Sequence, residues 1–271
     1  MRVRFWGVRG SVPWSTAESA GIGTNTPCVQ VSHGEAMLIL DGGSGIVGVG
    51  EVLETTHRPV TVLLSHYHWD HVQGFPFFNP LFEPGSSTTI IGPAFDRVRP
   101  DWLRGLFAAP HFPLTLADVA SPPSFSTVDP GPFTAGGFEV TACALMHPGG
   151  CFAYRIHNPA AAAGDGDLVY ATDHEFGDPQ ADARLAAFAR GAGAIIMDAH
   201  YTPDEMPRMG GRGHGSWQLC AEFAAEQRVK QLWLFHHKPG RTDAALRDIE
   251  RQAQRTFPAT HLAAEGLEFD L

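Results

Sequence analysis

Short apolar runs recur along the chain, and most of them end at a glycine, an aspartate, a serine or a histidine. The clearest predicted strands cover residues 37–40, 60–64, 138–141, 152–156, 168–171, 194–197 and 231–235. Several of these runs are apolar at nearly every position, which is typical of strands that are covered on both faces. The pattern therefore predicts sheets with packed layers on either side.

Helical patterns fall between the strands, and helices are predicted over residues 96–107, 182–190, 216–227 and 242–256. In the last of these, Leu246, Ile249 and Ala253 recur at helical spacing and form one apolar stripe. Strands that alternate with helices indicate the α/β class, with sheets placed between helical layers.

The chain has 271 residues, of which 44% are apolar and 18% are charged, so it can bury a sizeable core. We expect one domain over 1–271. The segment 92–132 is less regular and rich in proline, and it is too short for a core of its own. It is therefore predicted to be a lid or an insertion.

The formal charge is −10, from 19 Lys and Arg residues against 29 Asp and Glu residues. This balance argues against a surface that wraps long nucleic acid, although it permits a small anionic substrate at a local cationic centre. The sequence has no run of about 18 apolar residues and no signal peptide, so no membrane partner is expected. The four cysteines form no CxxC pair. The cytoplasm is the expected location.

The most informative motif follows the apolar run 60–64 and reads Ser-His-Tyr-His-Trp-Asp-His over residues 65–71. His66 and His68 project the same way if the segment is extended, and Asp70 and His71 follow one short turn later. Imidazole together with carboxylate suits zinc, iron or manganese better than calcium or magnesium. The motif therefore predicts a transition-metal site at the end of a strand.

Four ligands cannot complete the shells of two metal ions, so further ligands are expected downstream. His147, Asp173 and His236 each follow an apolar run, at the position where a predicted strand ends. Each of these residues is a weak indication alone, but together with the motif they form a consistent set of ligands.

The motif His-x-His-x-Asp-His of residues 66–71 is that of the metallo-β-lactamase superfamily, which this chain resembles over most of its length. Within the superfamily it is most similar to the phosphodiesterase branch that includes tRNase Z and PhnP. The segments that carry this likeness are the glycine-rich opening 5–13 with 23–26, the Asp-Gly turn 40–45, Gly213-His214-Gly215-Ser216 and residues 236–239. The chain departs from the branch in having no recognisable arm for tRNA and in carrying the extra imidazoles of His174 and His200.

The resemblance implies an αββα four-layer sandwich and a centre with two divalent transition-metal ions, zinc first, with manganese or iron as alternatives. One ion is expected on His66, His68 and His147 and the other on Asp70, His71 and His236, with Asp173 bridging them. A hydroxide shared by the two ions would attack phosphorus.

The resemblance also implies catalytic roles for Asp70, His214 and Asp198. His214 is expected to protonate the leaving alkoxide as a general acid, and Asp198 is expected to orient His214. Asp41 is expected to orient a metal histidine through its second ring nitrogen. His174 and His200 either line the pocket or pack in the core, and His237 is expected to point away from the centre.

These features predict a binuclear phosphodiesterase that acts on a small or cyclic phosphodiester. A lactonase or a thioester hydrolase on the same scaffold is the alternative, and a metal-binding sensor without turnover is a third interpretation. The complete set of seven ligands argues against the sensor, and the charge of −10 argues against a tRNA nuclease. The substrate and the oligomeric state stay open, with a homodimer as one option.

Overall fold

The computed structural model describes residues 1–53, 58–95, 101–160 and 166–271, within which fourteen strands form two mixed sheets of seven. In spatial order the first sheet consists of β14 (Glu268–Asp270), β1 (Arg2–Gly7), β2 (Cys28–His33), β3 (Ala36–Leu40), β4 (Val60–Leu63), β5 (Thr88–Pro93) and β6 (Ser124–Val128). The second consists of β13 (Thr260–Leu262), β12 (Leu232–Phe235), β11 (Ala194–Asp198), β10 (Leu168–Ala171), β9 (Cys151–Ile156), β8 (Phe138–Leu145) and β7 (Gly131–Ala135).

The described residues contain six α-helices, of which the four with eight or more residues pack against the sheets. The six are α1 (Ile46–Leu53), α2 (Trp69–Val72), α3 (Pro179–Ala189), α4 (Met206–Met209), α5 (Trp217–Gln227) and α6 (Asp243–Thr256). The longer helices begin at side chains that cap free backbone amides: Asp178 caps α3, Ser216 caps α5 and Thr242 caps α6. The predicted helices 182–190, 216–227 and 242–256 are therefore present, with bounds shifted by three residues or fewer.

The burial of β3 shows how the layers are stacked. Leu38 and Leu40 pack into the core shared with the second sheet, whereas Ile39 packs into a separate core beneath α1. Because side chains alternate along a strand, one face of the first sheet meets the other sheet and the opposite face meets helices. The predicted αββα sandwich is confirmed, and the nearly continuous apolar runs are explained by burial on both faces.

Part of the segment predicted as a lid belongs to the sheets. Its first residues lie in β5, and β6 and the start of β7 lie near its end, so the connection between strands covers residues 94–123. Phe107 is buried in the core beneath the first sheet. Residues 96–100 of the helix predicted over 96–107 lie outside the described residues, and Trp102–Gly105 forms a 3-10 helix.

None of the helices in the described part of the chain combines the length and the apolar character that crossing a membrane requires.

Candidate metal centre

The motif segment begins where β4 ends and enters α2 at Trp69. Its ligand-type side chains differ in exposure: His66, Asp70 and His71 are buried, and His68 is exposed. The short helix turns Asp70 and His71 back toward the end of the sheet, so four polar side chains converge beside one strand. α/β enzymes tend to bind their ligands at the ends of strands, as here.

The first cluster of donors consists of His66, His68 and His147. The Nδ1 of His147 donates to the carbonyl oxygen of Gly213 at 2.8 Å, which leaves Nε2 of His147 as a bare acceptor. That Nε2 lies 3.0 Å from Nδ1 of His68, and the ring of His66 packs 4.5 Å from the ring of His68. Three imidazoles therefore face a common point.

The second cluster consists of Asp70, His71 and His236. The Nδ1 of His71 donates to Oδ2 of Asp41 at 2.8 Å, so its Nε2 faces the cluster, 3.3 Å from Nε2 of His236. Oδ2 of Asp70 lies 3.1 Å from the same nitrogen of His236. The contact expected between Asp41 and a histidine of the motif is thus present.

Asp173 lies between the two clusters. One of its oxygens is 3.3 Å from Nε2 of His71 and 3.5 Å from Nε2 of His236, and the other is 3.9 Å from Nε2 of His147. Asp173 is therefore placed so that its two oxygens face different clusters, which is the geometry that a bridging carboxylate needs.

The donor chemistry fits metal ions. Within the described ranges, Nε2 of His66 is buried and has no hydrogen-bond partner, although an unpaired buried nitrogen is costly. Nε2 of His147, whose Nδ1 is already used as a donor, lies 3.0 Å from Nδ1 of His68, so both nitrogens are close enough to serve as ligands of one ion. The mixture of imidazole and carboxylate is typical of zinc, iron or manganese sites. All seven predicted ligands thus converge in two clusters that share a carboxylate.

His214 and Asp198 form a pair beside the second cluster. The Nδ1 of His214 donates to Oδ2 of Asp198 at 2.6 Å, and the ring of His214 lies 5.1 Å from that of His236. Burial opposes a charge on His214, but the carboxylates of Asp198, Asp173 and Asp70 outweigh it and raise its pKa to about 9. The contact with Asp198 therefore holds the ring of His214 and favours its charged form, with the second ring nitrogen, Nε2, directed away from Asp198.

Glu175 holds the loop that carries His214, and sequence reasoning missed this residue. Its carboxylate accepts hydrogen bonds from the backbone amides of Gly211 and Gly213. Gly213 has φ +86°, and an added Cβ would lie 2.2 Å from Nδ1 of His147, so only glycine fits there. The signal available in the sequence was the acidic residue next to His174, which points to no partner by itself.

The other histidines near the centre take different positions. His200 packs 4.5 Å from the ring of His214 and donates from Nδ1 to the carbonyl of His236, and burial lowers its pKa to about 4. His174 pairs with Asp182 on α3, and His237 donates to the carbonyl of Ala263. His200 thus lines the centre, whereas His174 and His237 face the surrounding core.

The backbone is strained at and beside the two donor clusters. Of the described residues other than glycine, five have positive φ, and four of these are Ser11, Asp41, Asp173 and His236. The amide of Ser11 donates to Oδ2 of Asp70 at 2.7 Å, a contact that no sequence pattern predicts. A left-handed conformation costs about 1–3 kcal/mol at such residues and clusters at functional sites. The strain therefore supports a functional role for this end of the sandwich.

Comparison with known proteins identifies relatives over the whole chain. Residues 48–237 match the family described as Beta-lactamase superfamily domain. A ribonuclease BN from Citrobacter koseri is 24% identical, over 99% of this chain and 99% of its own.

Solved structures give similar matches at low sequence identity. The metallo-β-lactamase fold protein YhfI from Bacillus subtilis has a TM-score of 0.73 and 21% identity, over 100% of this chain and 98% of its own. A diphosphatase from the PhnP family has a TM-score of 0.72 and 15% identity, over 100% of this chain and 97% of its own. The short form of human tRNase Z has a TM-score of 0.66 and 19% identity, over 100% and 99%. These likenesses concern the fold.

Proposed function

Because the chain belongs to the metallo-β-lactamase superfamily, we propose that it is a binuclear metal-dependent phosphodiesterase. The predicted family resemblance is confirmed, and so is the assignment to the hydrolases. The bond that is cleaved and the number of metal ions belong to the proposal.

The observation that carries the proposal is the combination of two clusters of metal donors with a separate proton donor. His66, His68 and His147 would hold one ion and Asp70, His71 and His236 the other, with the carboxylate of Asp173 between them. When bound, two such ions lower the pKa of water and neutralise charge on phosphoryl oxygens. Zinc is our first assignment, with manganese or iron as alternatives.

The protein's own contribution beyond metal binding comes from His214 and Asp198. Hydrolysis of a phosphodiester releases an alkoxide, which must take up a proton. We assign the donation of that proton to His214, whose ring is held by Asp198. Asp198 holds the ring by its Nδ1–H and stabilises the charged imidazole, so Nε2 is the atom that delivers the proton. A thiolate leaving group needs no such donor, which is why the pair favours a phosphodiesterase over a thioester hydrolase.

The substrate we propose is a small or cyclic phosphodiester. The support is the formal charge of −10, which provides little of the positive surface that long nucleic acid requires. The relative named ribonuclease BN and the structure of human tRNase Z support phosphodiester chemistry but leave the size of the substrate to be tested. A cytoplasmic location is part of the same proposal, supported by four free, buried cysteines.

A substrate panel tests the proposal. Protein stripped with chelator and reconstituted with zinc, manganese or iron is assayed on bis(p-nitrophenyl) phosphate, cyclic nucleotides, a short single-stranded RNA, lactones and thioesters. We expect turnover of the phosphodiesters, with cyclic nucleotides preferred over RNA, and none after renewed chelation. Preferential turnover of a lactone or a thioester would instead establish the alternative hydrolase.

A further inference from the structure

Arg9 is a charged side chain that is fully buried although it is not one of the metal donors. Its guanidinium donates to three backbone carbonyls: from Nε to Gly23 at 2.7 Å, from Nη1 to Arg241 at 2.9 Å and from Nη2 to Ser19 at 3.0 Å. A carboxylate oxygen of Asp243 lies 3.8 Å from Nη2. A buried charge is costly unless it is hydrogen-bonded, so these contacts bind Arg9 firmly to two distant parts of the chain.

The residues that follow Arg9 lie against the second donor cluster. The amide of Ser11 donates to Oδ2 of Asp70 at 2.7 Å. Gly10 lies against the ring of His236, because an added Cβ would come 2.4 Å from its Nδ1. Two consecutive residues after Arg9 therefore place their backbone beside two of the three donors of this cluster.

Two backbone hydrogen bonds join the same segment to the residue that follows His236. The amide of Gly10 donates to the carbonyl of His237 at 3.0 Å, and the amide of His237 donates to the carbonyl of Val8 at 2.9 Å. Arg9 thus lies opposite His237 in an isolated bridge between two strand-like segments. A shift of Arg9 would therefore displace the backbone next to a donor of the second cluster.

The turn that presents the amide of Ser11 is strained. Ser11 has φ +65°, and the amide of Val12 donates to the carbonyl of Gly10 at 2.8 Å. A three-residue turn of this kind with positive φ at its centre is the rare form of the γ-turn. Strained backbone persists only where the surrounding structure holds it, and the residue immediately before this turn is the anchored Arg9.

We propose that Arg9 is a positioning residue for the second donor cluster. Its guanidinium ties the carbonyls of Ser19 and Gly23 to the segment that precedes α6, and this anchor holds the turn whose amide fixes Asp70. Arginine suits this role because its planar fork of N–H donors reaches several carbonyls at once. The inference rests on the proposed function only in that the cluster binds metal, and it is independent of the bond that is cleaved.

Competition with a chromophoric chelator for zinc tests the inference. We expect Arg9→Met to weaken zinc binding at the second cluster by roughly 10–100-fold, as is common when a contact that supports a metal ligand is lost. The first cluster should keep its affinity. Arg9→Lys keeps the charge but not the planar fork, so it should cause a smaller loss at the same cluster. His68→Ala removes a donor of the first cluster and thereby assigns the two binding steps.

Arg155→Met is the matched control. Arg155 is also largely buried, and its guanidinium donates to the backbone carbonyls of Phe188 and Arg190 at the end of α3. We expect this variant to lower the thermal unfolding midpoint of the metal-free protein, as Arg9→Met does, but to leave both zinc affinities unchanged. The comparison separates a loss of stability from a loss of ligand position.

Two further measurements test the segment around Arg9. Gly10→Ala leaves the guanidinium in place but directs a Cβ at His236, so it should also weaken the second cluster. Turnover of bis(p-nitrophenyl) phosphate by Arg9→Met should return toward the wild-type rate as free zinc is raised. A protein that has merely lost its fold would show no such rescue.

Equal weakening of both clusters by Arg9→Met and Arg9→Lys, or unchanged affinity in both variants, overturns the inference. If Arg9→Met does not fold, Arg9→Lys decides by the same criterion. If the second cluster is weakened selectively but wild type hydrolyses no phosphodiester, the proposed function fails and the positioning role stands. If phosphodiesters are hydrolysed and zinc binding does not depend on Arg9, the positioning role fails and the proposed function stands.

Discussion

The two halves of the candidate metal centre are built in different ways. The first half takes four donors from the six consecutive residues 66–71, at the end of one strand. The second half takes His147, Asp173 and His236 singly, from the ends of β8, β10 and β12 in the other sheet. One half is therefore fixed by local chain geometry and the other only once the two sheets have packed together.

The support around the two halves differs accordingly. In the first half, Asp41 accepts from Nδ1 of His71 and from Oγ of Ser65, and the backbone amide of Ser11 donates to Asp70. In the second half, His147 is held by a distant loop, whose Gly213 carbonyl accepts from its Nδ1, and Asp173 and His236 have strained backbone with positive φ. A ligand motif thus identifies a metal centre, whereas the packing of distant strands completes it.

The largest effect should come from Asp173, whose oxygens face both clusters. Asp173→Ala should lower the metal content from about two ions per chain to fewer than one, and turnover should fall by several orders of magnitude. Elemental analysis after reconstitution checks the content. Asp129→Ala, at an exposed carboxylate, is the control, and loss of a single ion would show that Asp173 does not bridge.

Substitution of His214 tests whether this side chain donates a proton to the leaving group. His214→Ala should keep both ions but lose roughly 10²–10⁴-fold in kcat on substrates with alkoxide leaving groups, because the proton donor is gone. The loss should shrink for p-nitrophenolate, which departs without a proton. Steady-state kinetics on both substrate types checks this, with His111→Ala at an exposed histidine as control. A loss of the same size for both leaving groups would contradict the general-acid role.

Asp41 tests the support of the first half. Asp41→Asn should weaken metal binding at the cluster of Asp70, His71 and His236 by roughly 10–100-fold, because His71 loses the charged acceptor that orients its ring. Competition with a chromophoric chelator measures the two affinities.

The cluster of His66, His68 and His147 should keep its ion in the same variant. Tyr170→Phe removes only a hydroxyl that donates to Asp41 and should have a smaller effect. Equal weakening of both clusters by Asp41→Asn would mean that Asp41 supports both clusters and not only the one that contains His71.

The smallest effect is expected at Glu175. Glu175→Gln weakens one of two hydrogen bonds that hold the loop before His214, so kcat should fall about fivefold, equivalent to about 1 kcal/mol. Its dependence on the leaving group should match that of His214→Ala, as expected for a residue that acts through His214. Glu226→Gln, exposed on α5, should leave kcat unchanged. A loss independent of the leaving group would exclude this positioning role.

The same contrast explains what the sequence could predict. Apolar runs identified the core strands, because burial on both faces leaves a continuous pattern, and the motif 66–71 carries its ligands in consecutive positions. Of the helix predicted over 96–107, residues 101–107 are described, and they contain the 3-10 helix Trp102–Gly105. Its fold is decided by side chains such as Phe107 that pack beneath the first sheet, which local pattern does not report.

The missed residues share a physical reason. Ser11 contributes a backbone amide, and Glu175 accepts backbone amides of a distant loop, so neither role depends on a recognisable side-chain pattern. Asp41 could be anticipated from the family resemblance of its Asp-Gly turn, because a metal histidine commonly donates its second ring nitrogen to a carboxylate. Contacts made by backbone at long sequence separation remain beyond what a single sequence conveys.

The carbonyl of Gly213 lies in the loop that carries His214, and it also accepts the hydrogen bond that orients His147. By thermodynamic reciprocity, whatever fixes the His147 ring also orders the loop, and a disordered loop weakens that histidine as a ligand. Metal binding at His147 and order in the loop that carries His214 are therefore coupled. Hydrogen exchange at the Gly211 and Gly213 amides should accordingly slow when metal is added.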